Sequence, residues 1–389
     1  MIICSLPAEF KILTFYDCIM IDLQKKCDFQ QALINWYQAN GRDLPWRCTS
    51  DAYRIWVSEV MLQQTRVDTA ISYYHRFLEN FPAIENLAAA QLQQVLKRWE
   101  GLGYYARARN LHRAAGIVAA GYNGKVPDTL EAFTALPGVG PYIGAAVLSI
   151  AFGRPLAVAD GNVKRVLARV FADPSPVNVP SAHKTYQSMA SDLLDCRRPG
   201  TFNQALMELG ALVCRPGKAL CRNCPVLSHC RAYGRKETDL FPVRRKTRPV
   251  PLHRLVAAVI QKGPKVLIVC RPENGLLGGL WEFPCGRLSD GESAIDACHR
   301  IVGQTVNLRV QNAYEWTQVR HAYTHFRVEA RVVICDYAAG RIRPNGPADF
   351  QWAGVRALQK HPFTGMTRRF LPALMEKRQA VEPVTGALN

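Results

Sequence analysis

A chain of 389 residues is long for one domain and leads us to expect two. Its apolar content is ordinary for a globular protein, and no uninterrupted apolar stretch is long enough to span a bilayer, so a membrane-spanning role is set aside. A formal net charge of +18 favours a polyanionic partner, and thirteen cysteines without a secretion signal fit reduced thiols in a cytosolic compartment better than a disulfide framework.

In chain order, residues 1–27 carry apolar runs broken by Glu9, Lys11, Asp17 and Asp22, which is not the layout of a signal peptide. They read as a loosely docked extension, with initiation open between Met1 and Met20. Residues 28–238 read as an all-α domain. Apolar residues fall at helix spacing in Phe29–Tyr37, Ile55–Met61 and Leu92–Trp99, and turns fall at Asn40-Gly41, Gly101–Gly103 and Asn123-Gly124. Residues 239–252 are proline-flanked and basic, as expected of a linker. Residues 253–375 read as a smaller α/β domain, with strands expected over Leu255–Ile260, Lys265–Cys270 and Phe326–Cys335. Residues 376–389 form a tail.

Three features of the helical domain point to chemistry. The stretch Leu136-Pro-Gly-Val-Gly-Pro-Tyr-Ile-Gly144 is a glycine-rich turn opening a helix. Gly138 and Gly140 allow a close approach of backbone to another molecule, and the first turn of a helix offers N–H groups to phosphate. Asp160 follows, just before a helix expected over Val163–Val170. It suits an N-cap, and it also suits a carboxylate that stabilises a cationic sugar. Cys214, Cys221, Cys224 and Cys230 then follow with spacing C-x6-C-x2-C-x5-C. Four thiolates suit either zinc or an iron–sulfur cluster, and spacing alone does not choose between them.

Hairpin, aspartate and cysteine run in this order resemble the helix-hairpin-helix DNA glycosylases of the endonuclease III superfamily. Trp56-Val-Ser-Glu-Val-Met-Leu-Gln-Gln-Thr65, Leu44-Pro-Trp-Arg47 and Gly101–Asn110 resemble the adenine DNA glycosylase (MutY) family in particular. The resemblance spans about residues 28–374. It implies one [4Fe-4S] cluster on the four cysteines. It implies Glu59 as general acid toward the base, Asp160 as stabiliser of the sugar cation, and Tyr142 and Asn162 as assistants. Arg47, Trp46, Gln64, Thr65, Leu102 and Tyr104 would contact the flipped adenine or the opposing base, with Gln64 or Leu102 as the wedge; Trp46, Leu102 and Tyr104 equally suit core packing. Tyr142 stands where glycosylase/lyases carry lysine, and a phenol cannot form a Schiff base, so a monofunctional enzyme is expected.

The second domain resembles a Nudix fold through Gly275–Pro284. Gly286, Glu292 and Arg300 keep part of the Nudix box, but Ile301-Val-Gly-Gln-Thr305 replaces its metal-binding acids. A Nudix-like fold without Nudix hydrolysis is therefore expected. In relatives this domain inspects 8-oxoguanine with a Phe-Ser-His loop. Here Tyr323, Thr324 and His325 align with it, although Tyr323 and Thr324 also suit a plain strand end. The resemblance implies a monomer acting on duplex DNA with A:8-oxoguanine or A:G mispairs, in the cytoplasm of a bacterium, with contacts to replication or repair proteins. Two other readings remain at this point: another mismatch glycosylase of the superfamily, and a non-catalytic iron–sulfur DNA-binding protein.

Overall fold

A computed structural model describes residues 23–246 and 249–379. The choice between Met1 and Met20 lies outside these residues. Contacts divide the chain into two compact units, one of 23–67 with 117–246 and the other of 68–116 with 249–379.

The first unit is helical. Its core gathers the helices Leu23–Asn40, Pro141–Phe152, Gly161–Phe171, Ala182–Leu193 and Pro199–Leu212 around Phe29, Leu33, Val166, Leu167, Tyr186, Phe202 and Leu206. The first of these helices starts at Leu23, inside the stretch read as an extension. The helix Ala52–Leu62 starts where Asp51 accepts the Tyr53 and Arg54 N–H groups, a side-chain cap at its open end. It is buried from Ile55 to Met61, apolar except for Ser58 and Glu59, which are buried with it.

The second unit joins a helical stretch to an α/β domain. The strands are β1 (Leu252–Lys262), β2 (Lys265–Cys270), β3 (Trp281–Glu282), β4 (Cys285–Arg287), β5 (Leu308–Ala322), β6 (Arg327–Gly340) and β7 (Asp349–Gly354). They make one sheet in the order β3-β2-β1-β6-β5, with β4 on β1 and β7 on β2. The β1–β6 pair is parallel and the other pairs are antiparallel. Alternation along β1 explains the layers. Val256, Ala258 and Ile260 face the helix Ala294–Val306, while Ala257 and Val259 face the helix Gly365–Gln379 through Met366, Phe370 and Leu374. That last helix takes in 376–379, part of the expected tail.

Strand β5 was not expected from the sequence. Its pairing with β6 slips near Val310, Tyr314 and Thr317, and these irregularities erase the alternation by which a strand is recognised. The stretch 68–116, read from the sequence as part of the helical domain, is itself helical. In the structure polar contacts stitch that stretch to the sheet: Trp281 Nε1 donates to Gln93 Oε1 at 3.0 Å, the Phe363 N–H to Glu100 Oε1 at 2.7 Å, and Lys97 Nζ to the His361 carbonyl at 3.0 Å.

Candidate active site and its two neighbourhoods

The helical unit holds a cavity of about 150 Å³. Trp46, Arg47, Glu59, Thr65, Tyr142, Asp160 and Asn162 all line it, so residues spread over more than a hundred positions in sequence meet at one place.

Glu59 is 5% exposed. Tyr142 Oη donates to Glu59 Oε2 at 2.9 Å. Burial pushes the Glu59 carboxyl up to about 7; the Tyr142 hydrogen bond opposes that rise, the Asp160 charge adds to it, and Arg47 opposes it. A carboxyl in this setting carries a proton near neutral pH and can give it away. Tyr142 is itself raised well above an ordinary phenol, first by burial and then by the neighbouring carboxylates, so it serves as a donor.

Asp160 caps the helix Gly161–Phe171: Oδ1 accepts the Val163 N–H at 2.7 Å and Oδ2 accepts Asn162 Nδ2 at 3.2 Å. Cap and cavity wall are thus the same carboxylate. Burial raises its pKa, while the Val163 and Asn162 hydrogen bonds and the Arg165 charge pull it back. Asn162 is held in turn by Arg165, whose Nη2 donates to Asn162 Oδ1 at 2.8 Å. Arg165 is buried and also donates to the Gly210 and Cys214 carbonyls, each at 2.7 Å.

That last contact leads to the cysteine loop. Cys214, Cys221, Cys224 and Cys230 line one small cavity. Arg169 Nη1 donates to Cys214 Sγ at 3.3 Å. Burial pushes the Cys224 thiol up to about 12, and the charges of Cys214, Cys230 and Cys221 push the same way. Burial and neighbouring sulfur charge thus oppose ionisation at Cys224, and a positively charged inorganic group would reverse that. Among the described residues no three His, Cys, Asp or Glu side chains are arranged to hold a single metal ion. Four cysteine sulfurs around one cavity are a donor set that fits a metal centre of the iron–sulfur or zinc class.

The remaining predicted residues of this unit divide by exposure. Gln64 is exposed and has φ 57, a left-handed backbone that a non-glycine residue adopts only under constraint. The hairpin has Pro137 and Gly138 (φ 79) at the centre of a turn closed by the Val139 N–H on the Leu136 carbonyl at 3.1 Å, the residue types a type II turn demands. A Cβ on Gly140 would meet no protein atom within 4 Å, so packing within the chain does not require glycine there.

The other predicted contacts lie in the second unit, around a separate cavity of about 670 Å³. Tyr104, Tyr323, Thr324 and His325 line it, together with Arg109, Arg368 and Arg369. Thr324 and His325 are exposed, and the Thr324 hydroxyl is hydrogen-bonded to Tyr104 Oη. Tyr323 is held by its own domain: it stacks on Phe326 at 4.6 Å, and its hydroxyl accepts the Met366 N–H at 3.1 Å. Leu102 is 7% exposed and packs inside this unit.

Sequence reasoning missed Arg42, Gln204 and Glu208, which line the cavity of Glu59 and Asp160. It also missed Arg165 and Arg169. Each acts through a partner distant in sequence, so no local pattern marks it.

Comparison with known proteins agrees with both halves of the chain. Residues 57–190 match the model of the HhH-GPD superfamily base excision DNA repair protein, and residues 255–373 match the NUDIX domain. The chain is 37% identical to the adenine DNA glycosylase of Mus musculus over a 384-residue alignment that takes in 83% of this chain and 74% of the mouse protein. It is 40% identical to that of Rattus norvegicus over 318 residues, covering 68% of this chain and 61% of the rat protein. Among solved structures, a thermostable thymine-DNA glycosylase is 30% identical with a TM-score of 0.51, covering 55% of this chain and 98% of its own.

Proposed function

This chain belongs to the adenine DNA glycosylase family, and from that premise we propose that it excises adenine paired with 8-oxoguanine, or with guanine, from duplex DNA and leaves an abasic site. The observation that carries the reading is the pair of unlike carboxyls in one cavity: Glu59, held by the Tyr142 phenol and raised by burial to about 7, beside Asp160, hydrogen-bonded by Val163 and Asn162. One carboxyl held by a phenol and one held by amide N–H donors can divide the work of glycoside cleavage between acid and stabiliser.

In this mechanism the adenine leaves the helical stack and enters the cavity. Glu59 gives its proton to the base, at N7 by analogy with the family, because adenine departs poorly as an anion. Asp160 stabilises the positive charge that develops on the sugar until water adds at C1′ and releases a proton, and Asn162, steadied by Arg165, holds Asp160 in place. Tyr142 orients Glu59. No lysine occupies the Tyr142 position, so the strand is left intact. The hairpin at 136–144 docks phosphate, and Gln64 rather than the buried Leu102 fills the gap in the duplex. Cys214, Cys221, Cys224 and Cys230 hold one [4Fe-4S] cluster, which when bound supplies a fixed structural and charged element rather than hydrolysis. Tyr104, Tyr323, Thr324 and His325 read the opposing base. Thr324 brings the hydroxyl that can meet the N7–H or O8 of 8-oxoguanine.

Single-turnover cleavage of a labelled duplex holding adenine opposite 8-oxoguanine, with and without hot alkali, tests this. Strand breaks mainly after alkali are expected. Breaks without alkali would make the enzyme a lyase, and no abasic sites at all would refute the assigned substrate.

A further inference from the structure

A third carboxylate, Glu208, lines the cavity of Glu59 and Asp160, and the mechanism above does not use it. Its side chain is 2% exposed. Oε1 accepts the Arg42 backbone N–H at 2.9 Å, Arg42 Nε at 2.8 Å and Arg47 Nη1 at 3.1 Å; Oε2 accepts Arg42 Nη2 at 2.7 Å and Arg47 Nη2 at 2.9 Å. Two guanidinium forks thus close on one buried carboxylate, a geometry that fixes planar groups in orientation. Arg47 is held from a second side by the Tyr37 ring, 5.2 Å from its guanidinium carbon.

We propose that Glu208 is a positioning residue for base excision: it clamps Arg47 and Arg42 along the cavity wall and offsets their charge, so that Glu59 meets the base as a carboxylic acid. The inference rests on the assignment of Glu59 as general acid. The charged or titratable groups facing Glu59 are Tyr142, Asp160 and Arg47, with Arg42 and Glu208 behind Arg47. Arg47 favours the ionised form of Glu59 and Asp160 the neutral form. Against the opposing pull of burial, the hydrogen bonds from Arg42 and Arg47 bring Glu208 itself down to about 2, so it is a carboxylate at any pH where the enzyme works. Removing its charge leaves both arginines less compensated, and their field then draws the proton from Glu59 at lower pH.

The test is single-turnover excision against pH in the full chain with its cluster. In Glu208→Gln the alkaline limb of the rate should move down by roughly one pH unit, a roughly tenfold loss just above the limb. A rate lowered equally at every pH, or a wild-type profile, overturns the proposal. Arg42→Gln alone, at a half-exposed position, removes one cation and should move the limb up; a limb that stays or falls overturns the proposal even if Glu208→Gln does not fold. Glu59→Gln separates the two ideas. If it still excises adenine, the acid assignment has failed; if it is inactive while Glu208→Gln keeps the wild-type limb, only the role of Glu208 has failed.

Discussion

Glu59 in the helical unit and Glu292 in the sheet unit are the same side chain in opposite circumstances. Glu59 is buried with a phenol for a partner, and burial raises it to about 7. Glu292 is partly exposed. Its Oε1 accepts Arg300 Nε at 2.7 Å, Oε2 accepts Arg300 Nη2 at 2.7 Å and the Ser289 N–H at 3.0 Å, and these bonds, led by Arg300, bring it down to about 2. One can deliver a proton at neutral pH and the other cannot. A glutamate becomes an acid where burial goes uncompensated and a clasp where a guanidinium closes on it. The Nudix box here has lost its metal acids and kept the clasp.

The largest effect should come from removing the acid. Glu59→Gln is expected to lower single-turnover excision by about 10²–10⁴-fold with little change in DNA affinity. Loss of less than tenfold would end the comparison, since Glu59 would then be another structural glutamate. The stability of this variant carries a sign as well. The folded-state pKa of Glu59 is raised, so its contribution is fully present below its unfolded value and is lost as pH rises through about 7. Glu59→Gln should therefore melt at a higher temperature than the wild type at pH 8, a difference that fades toward pH 5. Next, Asp160→Asn should cost about 10²–10³-fold in the same assay, the size seen when a positioned electrostatic stabiliser is lost. An unchanged rate would mean that Asp160 only caps its helix.

How far these roles could be read from sequence depended on distance along the chain. Glu59, Tyr142, Asp160 and the four cysteines each sit in a short patterned window. The cap at Asp160 is likewise local, which is why the cap and the proposed stabiliser were read from the same window. Glu208 had no such window. Its partners Arg42 and Arg47 lie 166 and 161 residues away, and only folding reveals that the helix Pro199–Leu212 meets the turn at Pro45–Arg47. The same reasoning covers Arg165, which reaches Cys214 across 49 residues. Strand β5 failed for a different reason, because irregular pairing destroyed its period. Tyr323 was legible as an aromatic, but its fixation by Phe326 and Met366 was not.

Two intermediate effects sharpen the comparison. Thr324→Ala removes a hydroxyl that is exposed and bonded to Tyr104. The preference for 8-oxoguanine over guanine should fall by about fivefold, the worth of one hydrogen bond, while excision opposite guanine changes less. Equal losses on both substrates would remove Thr324 from lesion reading. Tyr142→Phe withdraws the hydrogen bond that favours ionised Glu59. The alkaline limb should then move up, by less than about one pH unit. Movement downward would mean that Tyr142 stabilises the neutral acid instead.

The smallest effect belongs to the other glutamate. Glu292→Gln should leave excision unchanged, and neither it nor the wild type should hydrolyse 8-oxo-dGTP, because residues 301–305 carry no carboxylate to hold a divalent metal. The change should appear in stability alone. Arg300 lowers the folded-state pKa of Glu292 from its ordinary 4.5 to about 2, so its contribution is present above about 4.5 and is lost as pH falls through about 2. The variant should accordingly melt below the wild type at neutral pH, with the gap shrinking as the pH is lowered across that window. A gap independent of pH would show that packing, not the Arg300 pair, is what Glu292 supplies. A loss of excision would show that the two glutamates are functionally linked.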